Sequence, residues 1–124
     1  MKILVVDDSA VMRKLVNRAI RQAGFGHAEV VEAGDGEEAL RVNYTELPDL
    51  ILADWNMPKM TGIEMLKRLR ADGDRVKVGF VTSESTAAIR LMAKEAGASF
   101  FISKPIDLTN LERALSSVRV RTRG

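Results

Sequence analysis

The sequence predicts a doubly wound α/β domain: a five-stranded parallel sheet with helices on both faces. Short apolar runs recur five times, most of them without polar alternation, which marks strands buried on both faces. Each run is followed by a stretch with apolar residues three and four apart, the period of a helix with one buried side. At 124 residues the chain has the size of one domain and enough length to bury a core.

Ile3-Leu4-Val5-Val6 is the first strand. Met12, Leu15, Val16, Ala19, Ile20 and Ala23 then give the inner face of a helix, with Ser9 as N-cap and Gly24 just past its end. Glu29-Val30-Val31-Glu32-Ala33 is a second, more polar strand, as suits a sheet edge. Gly34-Asp35-Gly36 turns the chain into a helix from about Glu37 to about Thr45, and Leu50-Ile51-Leu52-Ala53 is the third strand. Thr61-Gly62-Ile63-Glu64 has the form of a capping box and opens a helix through Leu66 and Leu69. Val76 to Val81 is the fourth strand, and Ile89, Met92, Ala93 and Ala96 are the inner face of the fourth helix, closed by Gly97. Ser99 to Ser103 is the fifth strand, and Asp107 caps a last helix carrying Leu111, Ala114, Leu115 and Val118. This sets one domain over residues 1–118 and a short basic tail over 119–124. For five strands the flavodoxin-like order 2-1-3-4-5 is expected, an order borrowed from known doubly wound domains. In such sheets the site lies outside the carboxyl ends of the strands, where the strand order reverses.

Composition narrows the function. Hydrophobic residues at 46% and charged residues at 29% describe an ordinary globular chain and argue against disorder. A net charge of +2 is too small to suggest nucleic acid. With no cysteine, disulfides, thiolate metal sites and cysteine nucleophiles are excluded, and a cytoplasmic location is the simplest expectation. The apolar start, Met1 to Val6, meets two aspartates at once and is too short for a signal-peptide core or a membrane span.

The strand ends deliver Asp7-Asp8, Asp54, Thr82-Ser83 and Lys104-Pro105 to one edge. Each has an ordinary explanation alone: aspartate and threonine cap helices and turns, and lysine is a solvated charge. All of these explanations would have to hold together at four strand ends. Carboxylates gathered on one rim repel, a conflict that a divalent cation removes, and an all-oxygen set favours Mg²⁺ first, with Mn²⁺ as a substitute. Asp54, ending the central strand, can attack phosphorus as a carboxylate nucleophile. Lys104 and the Thr82 hydroxyl then suit the phosphoryl oxygens.

Asp7-Asp8, Asp54, Thr82 and Lys104-Pro105 in this order and context resemble the receiver domains of two-component response regulators, from Lys2 to about Val118. Asp54-Trp55-Asn56-Met57-Pro58 followed by Thr61-Gly62 is most similar to the chemotaxis type. The resemblance implies a phosphorylation switch with Asp54 as phosphoacceptor and a histidine kinase or small phosphodonor as source. It implies Mg²⁺ held by Asp8 and Asp54, by the Asn56 backbone carbonyl, and by Asp7 largely through water. It further implies a cis Lys104-Pro105 bond, and Asn56 and Glu84 bordering the path of the water that resets the switch. Thr82 and an aromatic at position 101 would couple the site to an output face made of the fourth helix, fifth strand and fifth helix. That aromatic is usually tyrosine in chemotaxis regulators and is Phe101 here, which has no hydroxyl to offer a partner and can equally serve packing alone. No membrane partner is expected, and a monomer or weak phosphorylation-dependent dimer is.

Three alternatives stay open. An aspartyl-phosphate phosphohydrolase would usually carry Asp-x-Asp after the first strand, where this chain has the adjacent pair Asp7-Asp8. A plain interaction module would not need the acidic set with Thr82 and Lys104. The chain can also be the receiver portion of a larger regulator, with the basic segment Arg119 to Gly124 as the stub of a linker rather than a solvated helix end. His27 is expected to be exposed, Gly34-Asp35-Gly36 to be a turn without phosphate-binding spacing, and Met57, Met60 and Met65 to fill gaps.

Overall fold

The computed structural model describes residues 1–119, so the expected basic tail lies, apart from Arg119, outside the described residues. Five parallel strands, β1 (Lys2–Val6), β2 (Glu29–Ala33), β3 (Leu50–Ala53), β4 (Lys77–Thr82) and β5 (Phe100–Ser103), lie in the order β2-β1-β3-β4-β5. The helices are α1 (Ala10–Ile20), α2 (Gly36–Glu46), α3 (Gly62–Ala71), α4 (Ala87–Glu95) and α5 (Leu108–Ser116). The doubly wound class and the strand order are those expected, and the polar strand β2 is an edge.

Successive strand residues feed opposite faces, which is why the strands read as apolar throughout. Leu4, Val6, Ile51, Val78 and Phe80 pack with Met65, Leu66 and Leu69 of α3 on one face. Ile3, Val5, Leu50, Leu52 and Ile102 pack with Val16 and Ile20 of α1 and Leu111 and Leu115 of α5 on the other. Among the described residues no helix is long and apolar enough to cross a membrane.

The caps follow the sequence. Ser9, Asp35, Thr61 and Asp107 each accept a backbone N–H of the first turn of the helix they open. At α3 the box is reciprocal: Thr61 Oγ1 accepts from the Glu64 N–H at 3.3 Å while Glu64 Oε1 accepts from the Thr61 N–H at 3.0 Å. The Thr61 backbone N–H, then its hydroxyl, hold the Glu64 carboxyl below its ordinary range. This contribution is present above the ordinary carboxylate pKa and is lost as pH falls through the lowered folded value. Thr61→Ala removes the cap oxygen from the Glu64 N–H and should cost about 1 kcal/mol. It should also bring the Glu64 titration part of the way back toward its ordinary value, because the backbone N–H remains, followed by NMR; an unmoved titration would remove the hydroxyl's share of the box.

Some expected positions differ. α1 ends at Ile20 and widens into a π turn over Arg21–Phe25, where Gly24 takes φ 98°, so Ala23 is buried from that turn. Leu15 and Met92 were expected to face inward but are 47% and 46% exposed. At about 100° per residue each lies well off the centre of its helix's buried stripe, near the edge of an apolar face. Val76 and Ser99 precede β4 and β5 by one residue, and Val118 is buried beyond the end of α5.

Candidate functional site at the carboxyl edge of the sheet

The register brings the acidic residues together. Val6 pairs with Ala53, so the next residues, Asp7 and Asp54, leave the sheet side by side, and the Asp54 N–H donates to the Val6 carbonyl at 3.0 Å. Asp7 is 3% exposed, with its own N–H on the Ala33 carbonyl at 3.2 Å. Its Oδ1 accepts from the Ser9 N–H at 2.9 Å and its Oδ2 from Lys104 Nζ at 3.2 Å. Asp54 Oδ1 accepts from the Trp55 N–H at 2.7 Å, and Oδ2 from the same Lys104 ammonium at 3.4 Å. Lys104 thus bridges two carboxylates from strands at the point where the strand order reverses. The Lys104–Pro105 peptide is cis, and the Lys104 N–H donates to the Thr82 carbonyl at 2.9 Å.

Asp8 is exposed, and none of the described residues donates to its carboxylate. One oxygen each from Asp7, Asp8 and Asp54 lies within 4.8 Å of the others. Three carboxylates against one ammonium leave the rim negative. An all-oxygen set with one open carboxylate fits a hard divalent cation. Asn56, on the loop after β3, has a backbone carbonyl to which no backbone N–H among the described residues donates, so that oxygen is available too.

The other predicted residues surround this centre. Thr82 is 1% exposed, and its Oγ1 accepts from the Glu84 N–H at 3.2 Å, which leaves the hydroxyl proton free to donate. Asn56 Nδ2 donates to Glu84 Oε1 at 3.1 Å across the mouth. Trp55, next in sequence to Asp54, is buried and edge-on to Phe80 with ring centres 5.1 Å apart. Phe101 pairs in register with Phe80 and lies on β5 two residues before Ser103, the partner of Thr82; it is behind the site and half-buried.

Three further residues were given no place in the site from the sequence. A Cβ on Gly62 would collide with the Asp54 carbonyl oxygen and the Phe80 ring, so only glycine lets α3 start this close to the loop after β3. Arg90 stacks its guanidinium 4.8 Å over the Phe101 ring and donates to Ser103 Oγ at 2.7 Å. It gives the phenylalanine a polar neighbour where a tyrosine would carry its own. Arg13 donates to the Asp7 carbonyl at 2.6 Å. One signal was available for it: a cation in the opening turns of a helix opposes the helix dipole unless an anion answers it.

A family profile for the response regulator receiver domain matches residues 3–116. Chemotaxis protein CheY of Pseudomonas aeruginosa is 36% identical over 127 residues, covering 100% of both chains. Chemotaxis protein CheY-3 of Vibrio cholerae is 37% identical over 120 residues, covering 95% of this chain and 91% of its own. Among solved structures, CheY4 of Vibrio cholerae superposes with a TM-score of 0.82 at 33% identity, covering 95% of this chain and 98% of its own. The signal receiver domain of NarL from Mycobacterium tuberculosis gives 0.83 at 31%, covering 93% and 92%.

Proposed function

Since the chain belongs to the response regulator receiver domain family, a family of signalling switches rather than free-standing enzymes, we propose that it switches by taking a phosphoryl group on Asp54. The observation that carries this reading is the Lys104 ammonium held between Asp7 and Asp54 within the acidic triad. An Asp54 carboxylate oxygen forms the bond to phosphorus; the bond from phosphorus to the imidazole nitrogen of a histidine kinase breaks, and that nitrogen keeps the electron pair. Lys104 and the free Thr82 proton face the charge on the phosphoryl oxygens. Asp8, Asp54 and the Asn56 carbonyl, with Asp7 through water, would hold Mg²⁺ or Mn²⁺, which when bound would supply further charge neutralisation.

Thr82 lies two register positions beyond Phe80, and Phe101 lies against Phe80 with ring centres 6.3 Å apart. Drawing the hydroxyl toward a phosphoryl group loosens packing that Phe101 shares, which links the site to the face made by α4, β5 and α5. Two packings of similar energy suffice for such a switch. A downstream protein is the expected reader of that face.

Asn56 and Glu84 flank the approach to Asp54, and their small polar side chains admit and orient water. Replacing either with a large apolar residue should slow loss of the phosphoryl group several-fold, read as recovery of Trp55 fluorescence. Unchanged lifetimes would place the water's path elsewhere. The proposal itself is tested by intact-mass measurement after incubation with Mg²⁺ and a small acyl phosphate. A gain of one phosphoryl group, abolished by a chelator, is expected; a chain that takes none would leave an interaction module.

A further inference from the structure

We propose that Arg13 is a positioning residue of the metal-binding loop, fixing the peptide between Asp7 and Asp8 and so the geometry with which the acidic triad takes a divalent cation. The inference rests on the reading of Asp7, Asp8 and Asp54 as a Mg²⁺ site. Arg13 is the fourth residue of α1 and 20% exposed. Its Nη1 donates to the Asp7 carbonyl at 2.6 Å and its Nε to Glu32 Oε1 of β2 at 2.7 Å. The two bonds hold the planar guanidinium between the loop and an edge strand, which lysine's single ammonium cannot reproduce in a fixed fork.

The carbonyl it grips belongs to the peptide joining the two acidic residues. A peptide is planar, so fixing its carbonyl fixes the direction in which the chain leaves for Asp8. Asp7 is restrained at every other polar group, through Ala33, Ser9 and Lys104. The Asp8 carboxylate receives no such bond from the described residues, so its placement depends on the backbone that carries it. Partners of this kind, one bond removed from a ligand, change metal affinity by roughly 10–100-fold when lost.

Charge predicts the opposite sign. The guanidinium is a cation beside a cation site, and Glu32 offsets it. If Arg13 acted only as a charge, its removal would tighten Mg²⁺ binding, and added salt would erase the effect. A purely structural role would lower the denaturation midpoint without changing the Mg²⁺ affinity of the folded protein.

The test is Mg²⁺ titration of the full chain, followed by Trp55 fluorescence, for wild type, Arg13→Met and Arg13→Lys at low and high ionic strength. Midpoints without metal are measured alongside. Arg13→Met should weaken binding about tenfold at both ionic strengths, and Arg13→Lys should recover little of it. Arg13→Lys keeps the charge and aliphatic stem, so it carries the test if Arg13→Met fails to fold. Affinities within twofold of wild type, or tighter, would overturn the positioning role while leaving the Mg²⁺ site intact. A wild type that does not respond to Mg²⁺ would remove the site and this inference together.

Discussion

Asp54→Asn should take up no phosphoryl group from any donor, yet fold with a stability within about 1 kcal/mol of wild type. The amide keeps an oxygen for the Trp55 N–H, which Asp54 Oδ1 now accepts at 2.7 Å. Lys104 keeps Asp7 at 3.2 Å, so no ammonium is stranded. What disappears is the proposed nucleophile and one of the clustered carboxylates. Denaturation in the absence of metal, paired with labelling, separates the two effects. A large fall in the midpoint would mean that Asp54 is held by contacts other than these, and persistent labelling would move the acceptor.

Lys104→Met should shift stability and metal affinity in opposite directions. The lysine is 17% exposed and faces side chains of Asp7 and Asp54 that are 5% and 16% exposed. Removing it strands two carboxylates, at a cost on the order of 2–3 kcal/mol, below the ~3–5 kcal/mol of fully buried pairs because this rim is partly wet. The same change removes a positive charge from a cation site and should tighten Mg²⁺ binding roughly tenfold, the scale of a close +1/+2 repulsion in high dielectric. Mg²⁺ should then restore roughly half of the stability lost relative to wild type, since a tenfold gain in affinity is about 1.4 kcal/mol of binding linkage. Denaturation midpoints across a Mg²⁺ series check both signs. A variant that is destabilised equally with and without the ion would make Lys104 a structural strap only.

The part of this site that could be read from the chain is the part that strand ends dictate. A wholly apolar strand such as Leu50 to Ala53 has no ambiguity of face, so the polar residue after it must lie at the edge, and Asp54 does. Asp7 and Lys104 likewise follow β1 and β5, and Thr82 is the last residue of β4, which is why four strands sufficed to assemble the centre. Helices gave less. The period that marks a buried stripe has soft edges, and Leu15 and Met92 fell on the exposed side of them. Contacts that hinge on close approach were not legible at all. Gly62 reads as the second letter of a capping box, and only the packed structure shows it pressed on the Asp54 carbonyl. Arg13 and Glu32 are nineteen residues apart, and Arg90 reaches Ser103 across thirteen. Neither pairing follows from periodicity, because each depends on how a helix is rotated over the sheet.

The central claim is that Asp54 itself carries the phosphoryl group, and chemical trapping tests it most directly. An acyl phosphate is reduced by borohydride to an alcohol, whereas a phosphoserine or phosphothreonine is not. The protein is phosphorylated in Mg²⁺, reduced, digested and sequenced by mass spectrometry. The account predicts an alcohol in place of the carboxylate at Asp54 alone. Reduction at Asp7 or Asp8 with Asp54 unchanged, or a phosphate that survives reduction on a hydroxyl residue, would contradict it.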